Sequence, residues 1–140
     1  MKIRPNFLFA WIFLTLALTL HVLDEALNDF LAVYNPLVSS INEKLDYSVF
    51  PVFSFSNWLT GLIIGIVILF GFSFFAFRKQ KWIIYLGYIY GVLMLINAFG
   101  HFVGSLYFSK LIAGVYSSPL LLVGSLYLIW SSSQTLKSNK

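Results

Sequence analysis

His21, Asp24 and Glu25 stand at positions i, i+3 and i+4, so in a helix all three project from one face. Asn97 and His101, four residues apart, share a face in the same way. These five residues are most of what the chain can use for chemistry, because it holds only 2 histidines, 5 acids and no cysteine. Thiolate nucleophiles, disulfides and cysteine metal sites are therefore excluded. Two imidazoles and a carboxylate with open positions suit Zn²⁺ or Fe²⁺. The expected ligands are His21, Glu25 and His101, with Asp24 and Asn97 orienting them or serving as base and polariser for a bound water. Without a metal, Glu25 paired with His101 and His21 paired with Asn97 would form a general acid–base set for proton movement on an amphipathic substrate, or a proton relay. Two further readings need no ligand: an interhelical network that fixes the register of the bundle, and plain solvation at the membrane interface.

The elements that must position these residues follow from composition. Charged residues make up 10% of the chain, hydrophobic ones 59% and aromatic ones 19%, with a mean hydropathy of +0.85. A soluble domain carries about 25% charged residues, so too few are present to wet the surface of one. A membrane span needs about 20 apolar residues, and apolar runs lie near 7–28, 58–77, 82–108 and 111–130. The expectation is an all-α, polytopic membrane protein, a single domain (1–140) built as a bundle of four transmembrane helices. Seven of the nine basic residues (Lys2, Arg4, Arg78, Lys79, Lys81, Lys137 and Lys140) then fall on one side, and all five acids (Asp24, Glu25, Asp29, Glu43 and Asp46) on the other. The positive-inside rule places both termini and the 78–81 turn in the cytoplasm, with the plasma membrane as the expected location. Trp58, Trp82 and Trp130 sit at the ends of these spans, where an indole buries its ring and keeps its N–H wet. The basic residues read as cytoplasmic flanks and not as a nucleic-acid surface. Lys2 and Arg4 ahead of residues 7–20 also fit a secretory signal, but the apolar run continues to Leu23 and Leu27 without an A-x-A site, which favours a retained span.

Helical rise places the polar residues in depth. Counted from Phe7, His21 lies about 21 Å across the layer and Glu25 about 27 Å; counted from Trp82, Asn97 lies about 22 Å across and His101 about 28 Å. The first and third spans run in the same direction, so the pairs arrive at matching heights. His21 is expected to face Asn97, and Glu25 to face His101. Ionisable groups at such depth cost about 2.5–3.5 kcal/mol each at a helix centre and are functional by default.

The outer connection 29–57 keeps apolar residues at helical spacing, which predicts a short amphipathic helix on the outer surface. Its later part, around Pro51, either re-enters the membrane edge or caps the bundle. Gly61 with Gly65, Gly87 with Gly91, and Gly100 with Gly104 are four apart and are expected to form packing seams within the chain, homo-oligomer contacts being the alternative. Pro119, beside Ser117 and Ser118, predicts a kink in the fourth span. Ser105, Ser109, Ser117 and Ser118 read as packing or backbone-bonding serines. Tyr107 and Lys110 mark the outer end of the third span, where Lys110 is a snorkelling flank or meets a lipid phosphate.

His21-Val22-Leu23-Asp24-Glu25 resembles the motif that names the HXXEE-motif integral membrane proteins, and Asn97-Ala98-Phe99-Gly100-His101 resembles that family's second motif, Asn-Ala-x-x-His. The order of the motifs, the four-span layout and the chain length are also similar, so the resemblance covers nearly the whole chain. The first acid of the motif is Asp24 in place of Glu. Of the third motif, Tyr-x-Pro-Gly-x-x-Thr, only Tyr107 is matched across 107–113. The resemblance points to the same polar site and to no particular reaction. The functional expectation is a metal-binding or acid–base membrane protein whose partners are membrane lipids and a lipid-like small molecule. The alternative is a structural or accessory subunit whose polar cluster locks the helices.

Overall fold

The computed structural model of the chain describes residues 5–78 and 80–137. Among the described residues the protein is all-helical: α1 (Pro5–Leu27), α2 (Leu31–Leu45), α3 (Phe55–Phe77), α4 (Trp82–Tyr107) and α5 (Ser118–Lys137). Three of these, α1, α3 and α4, are long and apolar enough to cross a membrane.

The four long helices alternate in direction. Near one end, a Cβ placed on Gly87 would meet Phe7 of α1 and Ser132 of α5, and the Trp11 indole donates to the Leu69 carbonyl of α3 at 2.9 Å. At the other end, His21 of α1 meets His101 of α4 and Ser117 beside α5, while Phe30 stacks on Trp58 of α3. α1 therefore runs parallel to α4 and antiparallel to α3 and α5. All five acids lie toward the second end. Arg78, Lys81 and Lys137 lie at the first, and Lys44 and Lys110 are the basic residues at the second. Lys2, Arg4, Lys79 and Lys140, which also carry the charge asymmetry of the sequence, lie outside the described residues.

α5 is inverted relative to a soluble helix. Its small polar residues, Ser118, Ser125, Ser131, Ser132 and Thr135, are buried, while Val123, Leu126 and Trp130 are exposed. Small side chains allow backbones to approach where lipid supplies no hydrophobic drive. Two of their hydroxyls return to the helix itself, Ser125 to the Leu121 carbonyl at 2.6 Å and Thr135 to that of Ser131 at 3.0 Å. Gly91 presses on Ile129 and the Ser125 carbonyl, and Gly124 on Leu14. Trp11, Leu14, Ile83, Ile84, Leu121 and Leu128 fill the core of this contact. By contrast α3 sits at the edge, with Ile63, Ile64, Val67 and Ile68 exposed.

Two expectations change. Nothing lies within 4 Å of a Cβ at Gly61, Gly65 or Gly100, so only the pair Gly87 and Gly91 forms a seam inside the chain, Gly104 touching the loop residue Ile112. The last helix begins at Ser118 and not near Leu111, which puts Pro119 in the first turn, where its missing N–H costs nothing and no kink results. Trp58, in the first turn of α3, is buried beneath Phe30. The short helix expected in the 29–57 connection is α2, and the segment after it lies back along that helix.

Two asparagines one heptad apart fasten that segment. The Asn35 side chain donates to the Phe53 carbonyl at 2.9 Å and accepts from Phe53 N–H at 3.1 Å. Asn42 accepts from the N–H groups of Val49 and Phe50 and donates to the Phe50 carbonyl. Asp29 (φ 55°) and Asp46 (φ 50°) adopt the left-handed conformation at the two ends of α2 and turn the chain there.

A His–Glu–His triangle at the acidic end of the bundle

α1 supplies His21 and Glu25 from one face, and α4 supplies His101 at the same height. All three are buried, at 1%, 5% and 5% exposure. His21 Nε2 lies 3.2 Å from His101 Nε2, His101 Nε2 lies 3.1 Å from Glu25 Oε1, and His21 Nε2 lies 3.5 Å from Glu25 Oε1. Three donor atoms thus form a nearly equilateral triangle. The imidazoles meet edge to face, with centroids 4.7 Å apart.

A second chain of bonds fixes His21. Ser117 Oγ donates to Asp24 Oδ2 at 2.7 Å, and the Ser117 backbone N–H donates to the same oxygen at 2.9 Å. The serine's single proton being committed to Asp24, its oxygen accepts from His21 Nδ1–H at 2.8 Å. Nε2 of a neutral His21 is then without a proton, its lone pair aimed at the triangle. Asn28 donates to the other Asp24 oxygen at 2.8 Å, so both carboxylate oxygens are engaged. It also faces the N-terminal end of α5, where negative charge is favoured by the helix dipole.

His101 is held from outside by backbone. Gly114 (φ +84°) lies against its ring so closely that a Cβ there would stand 2.4 Å from Cε1 and 2.6 Å from Nδ1. Phe30 covers another side, with centroids 5.7 Å apart. His101 Nδ1 and Asn97 Oδ1 are both buried without a hydrogen-bond partner among the described residues.

The structure therefore brings His21, Glu25 and His101 together and sets Asp24 one bond further out, behind Ser117. Asn97 lies one turn from His101 on α4 but does not receive His21, whose partners are Ser117, His101 and Glu25. Helix periodicity alone suggested the His21–Asn97 pairing. The i, i+4 offset instead lifts His101 to the level between His21 and Glu25. Ser117, expected to be a packing or backbone-bonding serine, does lie 3.2 Å from the Gly114 carbonyl but also links Asp24 to His21, and its place in a loop gives it no periodic signal. Ser118 does bond back to backbone, at 2.7 Å from the Gly114 carbonyl.

No family model, curated protein or solved structure matches the chain.

Proposed function

We propose that this protein is a four-span integral membrane protein, with α5 as the fourth span, that holds a divalent metal ion at His21, Glu25 and His101. The observation carrying this reading is the triangle of donor atoms, with edges of 3.1, 3.2 and 3.5 Å. A tetrahedral ion with bonds of about 2.0–2.1 Å holds its donors about 3.3–3.4 Å apart. With His21 Nε2 unprotonated and Glu25 ionised, the three atoms share at most one proton when both rings are neutral, carried by His101. A cation satisfies all three, and Zn²⁺ or Fe²⁺ accepts this donor set.

Two histidines and one carboxylate leave a coordination position open. An ion with such a position acidifies a bound water and polarises a carbonyl or phosphoryl oxygen, which supports hydrolysis of a lipid-like substrate in the outer half of the bilayer. Asp24, through Ser117, orients His21 and fixes its tautomer, as outer partners of metal-bound histidines do. Asn97, with its free acceptor on the His101 side of α4, is assigned to the water. The charge asymmetry supports cytoplasmic termini in the plasma membrane, and the two motifs support kinship with the HXXEE-motif proteins.

One observation favours a second reading. The chain Asp24–Ser117–His21 closes completely without a ligand, as a register-locking network requires. Metal analysis of detergent-purified wild type, His21→Ala and His101→Ala separates the two. The metal reading expects about one ion per chain in wild type and none in either variant. Metal-free wild type after equilibration with zinc, together with strong destabilisation of both variants, would leave the locking network standing instead.

A further inference from the structure

Lys110 is the residue at which two separate grooves meet. The larger, about 640 Å³, runs along the end of α4 and is lined by Phe102, Leu106, Leu111 and Val115. The smaller, about 300 Å³, lies between α2 and the end of α4, walled by Val33, Pro36, Leu37, Tyr107 and Phe108. Lys110 borders both. It reaches that position because Ser109 (φ 50°) takes the left-handed conformation just after α4, while the Lys110 N–H still bonds to the Ser105 carbonyl at 3.1 Å. Its ammonium is exposed and makes no ion pair among the described residues.

We propose that Lys110 and these two grooves bind an anionic two-chain phospholipid of the bilayer, with the phosphate at the ammonium and one acyl chain in each groove. Charge complementarity supports this occupant. Although five acids lie at this end of the bundle, none of them pairs with Lys110 among the described residues, so its ammonium, bordered by both grooves, is free to take an outside anion. Ser105 and Ser109 line the larger groove beside the lysine. Ser105 Oγ accepts from Ile112 N–H at 3.2 Å, which leaves its own proton to donate to a phosphate oxygen. Two chains are proposed because both grooves border the one cation. The larger groove reaches Phe102 and Val115, which follow His101 and Gly114 in the chain. The proposal rests on the membrane placement of the bundle and not on the metal.

The test is lipid retention by native mass spectrometry. Detergent-purified protein is incubated with phosphatidylglycerol, phosphatidylcholine, single-chain lysophosphatidylglycerol or inorganic phosphate. The expected result is one phosphatidylglycerol per chain, with phosphatidylcholine and the lysolipid retained several-fold less and phosphate failing to compete. Lys110→Gln should lower phosphatidylglycerol retention about fivefold, the loss of one lysine–phosphate attraction near a surface, and Lys110→Arg should restore it. Val115→Trp, which fills the larger groove, should lower retention with Lys110 intact. Equal retention by Lys110→Gln, equal binding of the neutral or single-chain lipid, or competition by free phosphate would each overturn the proposal. Metal content is read in the same samples. Lys110→Gln touches none of the three ligating residues, so its lipid result stands whether or not the metal reading does.

Discussion

Replacing Gly114 by alanine probes the histidine site without altering any of its polar groups. Two costs arise. An L-residue held at φ +84° costs about 1–2 kcal/mol relative to glycine. The new Cβ would stand 2.4 Å from His101 Cε1, whereas carbon atoms rest about 3.5–4.0 Å apart. The ring must therefore retreat by more than about 1 Å or the loop must lift, an overpacking cost of about 1–3 kcal/mol. Together these give a destabilisation of about 2–5 kcal/mol. The same displacement is several times the tolerance of about 0.2 Å on a metal–ligand distance, so metal affinity should fall more than about 100-fold, beyond what loss of an outer hydrogen-bond partner costs. The assay is denaturant unfolding in detergent followed by circular dichroism, with metal content measured on the same preparation. Gly100→Ala is the control, since nothing lies within 4 Å of its Cβ and a helical Gly→Ala change is stabilising by about 0.5–1 kcal/mol. Wild-type stability and wild-type metal content in Gly114→Ala would refute the reasoning.

Ser117→Ala removes the link between Asp24 and His21; metal affinity should drop about 10–100-fold, read by competition with a chelating dye, while Ser118→Ala leaves it unchanged. Gly91→Val drives a branched side chain into Ile129 and the Ser125 carbonyl and should cost about 1–3 kcal/mol in denaturant unfolding, whereas Gly61→Val, facing open space, should leave helix packing unchanged. Asn42→Ala frees the segment after α2 from three hydrogen bonds, and at about 1 kcal/mol net for each limited proteolysis at 47–50 should become markedly faster.

Much of the site was legible because helix geometry is regular. The i, i+4 spacing of His21 and Glu25, and equal counts of residues from the ends of α1 and α4, are enough to bring His101 level with them. Ser117 was not legible, since it comes from a loop 96 residues from His21, and no local pattern reports such a meeting. Gly114 was hidden for the same reason. Its positive φ and the His101 ring against it are facts of the loop's path. The fold shows a parallel division. All four apolar runs declare themselves, but the start of α5 at Ser118 does not, because the loop before it is as apolar as a helix; the buried serines of α5 are its packing face. The glycine pairs looked alike in sequence, and only Gly87 and Gly91 have a neighbour helix to receive them. Spacing gives which residues share a face; which face has a partner is decided by the whole bundle.

The central claim is that His21, Glu25 and His101 share one metal ion. X-ray absorption at the metal edge, on protein purified in detergent and loaded with one equivalent of zinc, tests it most directly. The account predicts two imidazole nitrogens at about 2.0–2.1 Å with the rest of the shell oxygen, and loss of one imidazole in His101→Ala. A shell without imidazole scattering, or one unchanged in His101→Ala, would contradict it.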